Sequence, residues 1–335
     1  MKIGILTFHN ADNYGAVLQC YALQETLKKQ YPNDDIYVID YKSPKIVNSY
    51  IPKIKIHKPW TIWSYYKAKK KMSKFSDFRK KFFSLGTDNL SQYDIIYYGS
   101  DQIWNPNLTD NDLIYFGKGF LGKKIAYAAS DGGEINLTPT VIELLNTFSF
   151  ISCREKSLTD KLQNCDIKLP IKTICDPVFL LSKDEWLKIA QRPKEKNYVL
   201  SYKIGENLNF DSEAENLGHN MGKKVIQIVY VKSLRKFYYR KQNFVEGISP
   251  EEFVGFFANA DFVLTTSFHG TAFSVIFEKP FYVLYFEKRN DRIVDLLNAL
   301  MIKDRFVSSV PSKCPPISNY SDALENLVHD GLLAC

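Results

Sequence analysis

The stretch KIGILTFHNADNYGAVLQCYALQETLKKQ, residues 2–30, decides how the rest of the chain is read. Its opening KIGILTF is a short, nearly unbroken apolar run, as expected of a strand buried on both faces. The polar loop HNADNYGA follows. Apolar or small residues at positions 17, 18, 22, 23 and 27 then predict a helix from Val17 to about Gln30. Strand, polar loop and helix in that order begin a parallel α/β sheet.

Further along, DIYVIDY (35–41), YDIIYYGS (93–100) and KIAYAAS (124–130) read as strands, with a helix at about 139–148. FISCREKSLTDKLQ (150–163) is a strand leading into a helix, and IKTICDPVFLL (171–181) closes the first half. Residues 182–197 read as a polar helix and linker. NYVLSYKIG (197–205) restarts the series, continued by a helix near 210–222, the strand KKVIQIVY (223–230) and a basic loop at 233–242. A helix opened by SPEEF (249–253), the strand DFVLTTS (261–267), a helix at 270–278, the strand PFYVLYF (280–286) and a helix near 290–301 complete it. The expected architecture is therefore α/β: two Rossmann-like domains, each a parallel doubly wound sheet, facing a central cleft. The domains are expected at 1–185, with a basic insertion at about 53–83, and at 195–335. In such sheets ligands bind beyond the carboxyl ends of the strands.

Composition bounds the function. At 335 residues, 45% hydrophobic and 24% charged, the chain is ordinary globular protein, long enough for two domains. Its six cysteines form no CxxC pair and no zinc-like spacing with histidine, so no metal is expected and a reducing cytoplasm fits. The N-terminus turns polar after a handful of apolar residues, and no apolar run approaches a membrane span. The formal charge of +7 is concentrated: residues 53–81 hold eleven Lys/Arg and one Asp, net +10, which leaves −3 on the remainder. Trp60, Trp63, Tyr65 and Tyr66 lie within that run. It suits a solvated helix packed by its aromatic side, or a helix docked on an anionic membrane. Nucleic acid ranks last, because no DNA- or RNA-binding motif accompanies the charge.

Three loops at predicted strand ends hold the candidate chemistry. In HNADNYGAV, His9, Asn10, Asn13 and Tyr14 offer hydrogen bonds and Gly15 permits close backbone approach; the loop is not GxGxxG, and a capped loop without ligand is the other reading. In YYGSDQIWNPN, Gly99, Ser100, Asp101, Gln102, Trp104 and Asn105 combine amides with an aromatic face of the kind that grips a sugar. The alternative is a polar turn with Trp104 in the core. In TTSFHGT, Thr265, Thr266 and Ser267 end a strand, His269 sits in the turn, and Gly270 and Thr271 open a helix. A helix N-terminus favours an anion, and an imidazole beside it can pass a proton near neutral pH. Arg154 after FISC is either an anion ligand or half of a surface ion pair with Glu155, and EKRNDRI adds Arg289 and Arg292.

The ordered set TFHNADNYGAVLQCYAL, YYGSDQIWNPN, AYAAS, ISCREKS, ICDPVFLL and VLTTSFHGTAFSVIFEKPF resembles the polysaccharide pyruvyl transferase family over residues 1 to about 300. The resemblance implies a GT-B-like architecture with an acceptor side in the first domain and a donor side in the second. It implies transfer of the carboxyvinyl group of phosphoenolpyruvate onto a sugar of a capsule or exopolysaccharide precursor, forming a pyruvate ketal without cofactor or metal. By position, the family's arginine of its strand-Arg-acid motif falls on Arg154, and the histidine of Arg-x-His-Gly falls on His269. The arginine of that motif is Ser267 here, so Arg289, Arg292, Lys232 or Arg235 would supply the missing cation, or the donor differs. The implied acceptor is a lipid-linked saccharide, which would place the enzyme on the inner face of the plasma membrane through residues 53–81. A glycosyltransferase using a nucleotide sugar, with Glu278 or Glu287 holding the ribose or base, is the alternative enzyme. A non-catalytic scaffold is the alternative of another class.

Overall fold

In the computed structural model, residues 1–50, 60–205, 209–229, 243–285, 290–311 and 320–333 are described. Met1–Ile51, Arg79–Leu181 and Ala323–Cys335 form one compact unit; Pro52–Phe78 and Ser182–Asp322 form a second.

The first unit is built on strands β1 (Lys2–Leu6), β2 (Asp35–Ile39), β3 (Leu85–Gly86), β4 (Ile95–Tyr98), β5 (Lys123–Ala129), β6 (Phe150–Cys153) and β7 (Ile171–Thr173). They lie in the order β3-β2-β1-β4-β5-β6-β7, every neighbouring pair parallel. Helices α1 (Tyr14–Gln30), α2 (Pro44–Tyr50), α4 (Pro106–Thr109), α5 (Pro139–Leu145) and α6 (Lys156–Gln163) come between or after them; α3 (Trp60–Phe82) follows α2 in sequence, but its residues up to Phe78 count with the second unit. The strands are short apolar runs because helices cover both faces: Ile95–Tyr98 is buried at every position, and so is Ile3–Leu6. Burying each such Ile or Leu is worth about 1.5–3 kcal/mol against leaving it in water.

The second unit repeats the plan with α7 (Lys183–Ile189), β8 (Tyr198–Tyr202), α8 (Phe210–Asn220), β9 (Lys224–Val229), β10 (Asn243–Glu246), α9 (Pro250–Asn259), β11 (Phe262–Thr265), α10 (Phe268–Ile276), β12 (Phe281–Leu284), α11 (Asp291–Ala299) and β13 (Phe306–Val307). Its order is β10-β9-β8-β11-β12-β13, again all parallel. Each sheet therefore reverses its strand order once, between β1 and β4 and between β8 and β11. These reversals are the switch points where an open α/β sheet leaves a crevice for a ligand.

Local signals set the helix starts. Asn13 accepts the N–H of Ala16 and opens α1 at Tyr14, three residues before the predicted start, because the periodicity marks only the apolar face and not the capped first turn. Ser182 and Ser249 head reciprocal capping boxes with Glu185 and Glu252. Strands β3, β10 and β13, and helix α2, were not legible from periodicity; the strands among them have two to four residues.

Two segments fall outside the expected 1–185 and 195–335 division. Residues 52–78, expected as an insertion in the first domain, count with the second unit. Lys67 pairs with Glu246, Lys74 pairs with Glu252 at 2.6 Å, and Phe75 and Phe78 are buried. The final helix α12 (Ser321–Leu333) ends in the first unit, where Gln30 donates to the Leu332 carbonyl and Tyr127 to that of Gly331.

Candidate functional site

At the switch point of the first sheet, the loops after β1 and β4 are tied together from beneath. Thr7 Oγ1 donates to the Ser100 carbonyl at 2.7 Å, Gln19 Nε2 donates to Thr7 Oγ1, and Gln19 Oε1 accepts the Ser100 N–H. Gly99 has φ +112°, and a Cβ there would lie 2.5 Å from the Tyr127 carbonyl oxygen, so only glycine fits. Asp101 also takes a left-handed backbone, φ 73°, and bridges to Ala129, next to the point where β5 shifts register against β6.

Several residues expected to touch ligand are structural instead. Trp104 is 1% exposed, stacks on Phe116 with centroids 5.8 Å apart, and donates its indole N–H to the Tyr115 carbonyl; it is core and offers no face to a sugar. Asn105 is fully buried and caps α4 by accepting the Asn107 N–H. Ser100 is buried and donates to the Ala128 carbonyl. Tyr14 is buried, and Gly15 lies within the first turn of α1 rather than in the loop. His9 is buried too; its Nε2 meets Asp40 Oδ1 at 3.1 Å, and this hydrogen bond, aided by Lys42, holds the Asp40 carboxyl down to about 2.

What the structure leaves facing outward is a cavity of about 180 Å³ at the strand ends. Phe8, Ala11, Ala16, Ile46, Tyr50 and Leu108 supply its apolar wall; Asn13, Lys45, Ser49, Asp101, Gln102 and Asn107 supply its polar one. Asn13, Asp101 and Gln102 thus line one cavity at the strand ends.

Arg154 is placed behind Asp101. Its Nη1 donates to Asp176 Oδ2 at 2.6 Å, its Nη2 lies 3.7 Å from Asp101 Oδ1, and its Nε lies 3.8 Å from Glu155 Oε1. The pair with Glu155 is buried, not the surface ion pair that the sequence allows, and Ser130 donates to the same Glu155 oxygen at 2.5 Å. Burial works against the guanidinium charge, but Asp176, Glu155 and Asp101 hold its pKa above the ordinary arginine value. A ligand phosphate or carboxylate brought to Arg154 would meet three protein carboxylates first. The arginine is therefore better suited to orienting Asp101 than to gripping an anion.

At the second switch point, α10 begins at Phe268, two residues earlier than predicted, so His269 stands in its first turn rather than before it. Ser267 is the cap: its Oγ accepts the Gly270 N–H at 3.3 Å, and Thr271 returns its N–H and hydroxyl to the Ser267 carbonyl. Thr265 donates to the Tyr202 carbonyl and accepts the Ser267 N–H, and Thr266 is clamped to Ile204 in both directions. A Cβ on Gly270 would lie 2.3 Å from Thr265 Oγ1. His269 is 9% exposed and meets the Phe268 ring edge-on at 5.2 Å; Arg292 lies over that same ring, 5.9 Å from its centroid. The structure thus gathers Arg292 and His269 around Phe268. Arg289, Lys232, Arg235 and Glu287 lie outside the described residues. Glu278 does not belong to this loop: it follows the far end of α10 and pairs with Lys183 at 2.5 Å.

Sequence reading missed Asp176, although ICDPVFLL was in view, because its acid reads as the cap it also is. It missed the Lys203–Asp211 pair after β8, whose two oxygens each lie 2.7 Å from the ammonium, with Gln227 donating to Asp211. Nothing in the periodicity connects residues on three separate elements.

Of the basic segment, α3 begins at Trp60, and residues 51–59 and the side chains of 60–64 lie outside the description. One face turns inward through Lys67, Lys71, Lys74, Phe75 and Phe78. The other exposes Tyr66, Lys69, Lys70, Lys80 and Lys81. Among the described residues no helix is long and apolar enough to cross a membrane, and no cluster of His, Cys, Asp or Glu could hold a metal.

Comparison with known proteins supplies a family and a fold. The family model described as polysaccharide pyruvyl transferase matches residues 13–287. No curated protein matches. A Listeria monocytogenes protein described as a UDP-N-acetylglucosamine 2-epimerase is similar at 10% identity with a TM-score of 0.50, covering 100% of this chain and 87% of that one. The Neisseria meningitidis UDP-GlcNAc 2-epimerase bound to UDP-GlcNAc gives 10% identity and 0.48, with 100% of both chains covered. The E. coli heptosyltransferase WaaC with ADP-2-deoxy-2-fluoro heptose gives 13% and 0.43, covering 86% of this chain and 90% of that one. The likeness is one of fold: two Rossmann-like parallel sheets, GT-B-like in architecture.

Proposed function

The chain belongs to the polysaccharide pyruvyl transferase family and is a transferase, and on that premise we propose that its donor is phosphoenolpyruvate and its product a pyruvate ketal on a saccharide precursor. The observation that carries this reading is the family match over residues 13–287, which includes the loop after β4, Arg154 and His269.

The chemistry needs a proton, a place for the donor's negative charge and two sugar hydroxyls. His269 protonates the methylene carbon of the donor, which becomes the methyl group of the product and leaves an oxocarbenium-like centre at C2. One sugar hydroxyl adds there and loses its proton; the C2–O bond to phosphate breaks; a second hydroxyl adds, loses its proton and closes the ketal. Proton transfer of this kind contributes about 10²- to 10⁴-fold. Arg292, over the ring of Phe268, would supply the cation that the family motif's arginine provides and that Ser267 here does not. A forked guanidinium suits phosphate or carboxylate. The lipid-linked acceptor would bring the protein to the inner face of the membrane, with the exposed lysines of α3 toward anionic headgroups.

A nucleotide-sugar donor remains the second reading, favoured by Ser267 standing in the arginine position. Glu278 gives it no support, since the residue sits at the wrong end of α10. A thermal-shift screen separates the two: phosphoenolpyruvate should raise the unfolding temperature and UDP- or GDP-sugars should not, and the opposite result would favour a glycosyltransferase.

A further inference from the structure

We infer that Arg79, in the last turn of α3, is a positioning residue for the strand-end cavity of the first sheet, acting through Asp12. Its part in turnover rests on the pyruvyl-transfer reading; its hold on the loop after β1 does not.

Phe8, Ala11 and Asn13 of that loop line the cavity, and Asp12 stands between the last two. Asp12 is 2% exposed, and its Oδ1 accepts from Arg79 Nη1 at 3.0 Å. The acid of HNADNYG is therefore an anchor for the loop. Other fastenings act at the loop's ends, where His9 meets Asp40 and Asn13 caps α1. The Ala11 N–H donates to the Phe8 carbonyl at 3.1 Å, a bond inside the loop itself. Arg79 ties the middle of the loop to a separate element.

The base from which Arg79 reaches is fixed. Its carbonyl accepts the Phe83 N–H at 2.9 Å, and the Phe82 ring meets Tyr21 of α1 edge-on at 5.5 Å. Gln24 of α1 donates to the Phe82 carbonyl at 2.9 Å and accepts the Ser84 N–H at 2.8 Å. The turn is thus fastened to α1, and Arg79 reaches from it to the loop that leads into α1. The two side chains are 14% and 3% exposed, so the pair is shielded, and removing one partner costs far more than it would on the surface. A displaced Asp12 would carry Ala11 and Asn13 with it, and a shift of about 1 Å at a site can cost about 10²-fold in rate.

The test is hydrogen–deuterium exchange of the full chain, read at the amides of residues 9–13. Arg79→Met keeps the apolar stem and loses the fork, and those amides should exchange about 10-fold faster than in wild type while the amides of β1 and β4 are unchanged. Arg79→Lys should restore part of the protection. Lys74→Met, which cuts the pair with Glu252 elsewhere on α3, should leave the loop at the wild-type rate. Asp12→Asn should repeat the effect of Arg79→Met, and the double variant should add little to either, as expected of two residues acting as one pair. Unchanged loop exchange in Arg79→Met, acceleration spread equally over the strands, or additive effects in the double variant would overturn the role. In phosphate release from phosphoenolpyruvate with a lipid-linked saccharide, Arg79→Met should raise KM for the saccharide about 10-fold and leave that for phosphoenolpyruvate unaltered; the reverse would also overturn it. No release by wild type would count against pyruvyl transfer alone, and loop exchange would still decide the role of Arg79.

Discussion

Ser267 Oγ accepts the backbone N–H of Gly270 at 3.3 Å, which makes the residue standing in the family's arginine position the cap of the helix that carries His269. The substitution has therefore replaced a potential anion ligand by a group spent on the protein itself. Ser267→Ala should lower stability by about 0.5–2 kcal/mol in denaturant unfolding, the usual cost of losing such a cap, while Ser267→Gly should cost only a few tenths. Equal stability of Ser267→Ala and wild type would mean that the cap is not what this serine supplies.

Arg154→Ala should be far more damaging than loss of one surface charge. It leaves Asp176 and Glu155 buried with no guanidinium between them. Breaking a buried pair from one side costs about 3–5 kcal/mol. The urea midpoint is the readout, and a loss below about 1 kcal/mol, the value of an exposed pair, would contradict the placement.

The Asp40–His9 contact makes a prediction in acid. The Asp40 carboxyl is held down to about 2, below the ordinary value of about 3.9, by its hydrogen bond to His9 and by Lys42. A lowered folded-state pKa adds stability that is complete above the unfolded value and disappears as pH falls through the folded one. Wild type should therefore lose stability between about pH 4 and pH 2 more steeply than Asp40→Asn, as followed by unfolding across that range. Superimposable acid limbs would rule the contact out as a source of stability.

The exposed lysines of α3 make a membrane prediction. Lys69→Ala with Lys70→Ala should weaken sedimentation with anionic vesicles at low salt about 30-fold, at about 1 kcal/mol per lysine near the surface. Lys67 and Lys74 are spent on Glu246 and Glu252, so their conversion should affect stability more than vesicle binding. Equal recovery on neutral vesicles would leave α3 as a solvated helix.

How much of this was legible follows from how each signal is encoded. KIGILTF and DFVLTTS announce buried parallel strands because both faces are covered, so apolar runs and the polar loops behind them gave the two-sheet architecture and the three loops. His269 was found because it stands next to a strand end in sequence. Beyond its neighbour Glu155, the surroundings of Arg154 were not, since Asp101 and Asp176 come from the loops after β4 and β7 and meet it only when β4, β5, β6 and β7 are aligned. Trp104 misled for a related reason: an indole in a polar loop looks like a sugar platform until Phe116 and the Tyr115 carbonyl claim it. Lys67, Lys71 and Lys74 read as net charge, but their spacing puts them on the inward face of the helix, where two of them meet glutamates.

The central claim is tested most directly by phosphate release from phosphoenolpyruvate in the presence of a lipid-linked saccharide, with the glycan's mass followed in parallel. Wild type should release phosphate in step with the gain of a pyruvate ketal, and His269→Ala should be slower by about 10²- to 10⁴-fold while folded. Absence of phosphate release by wild type, or full-rate turnover by His269→Ala, would contradict the account.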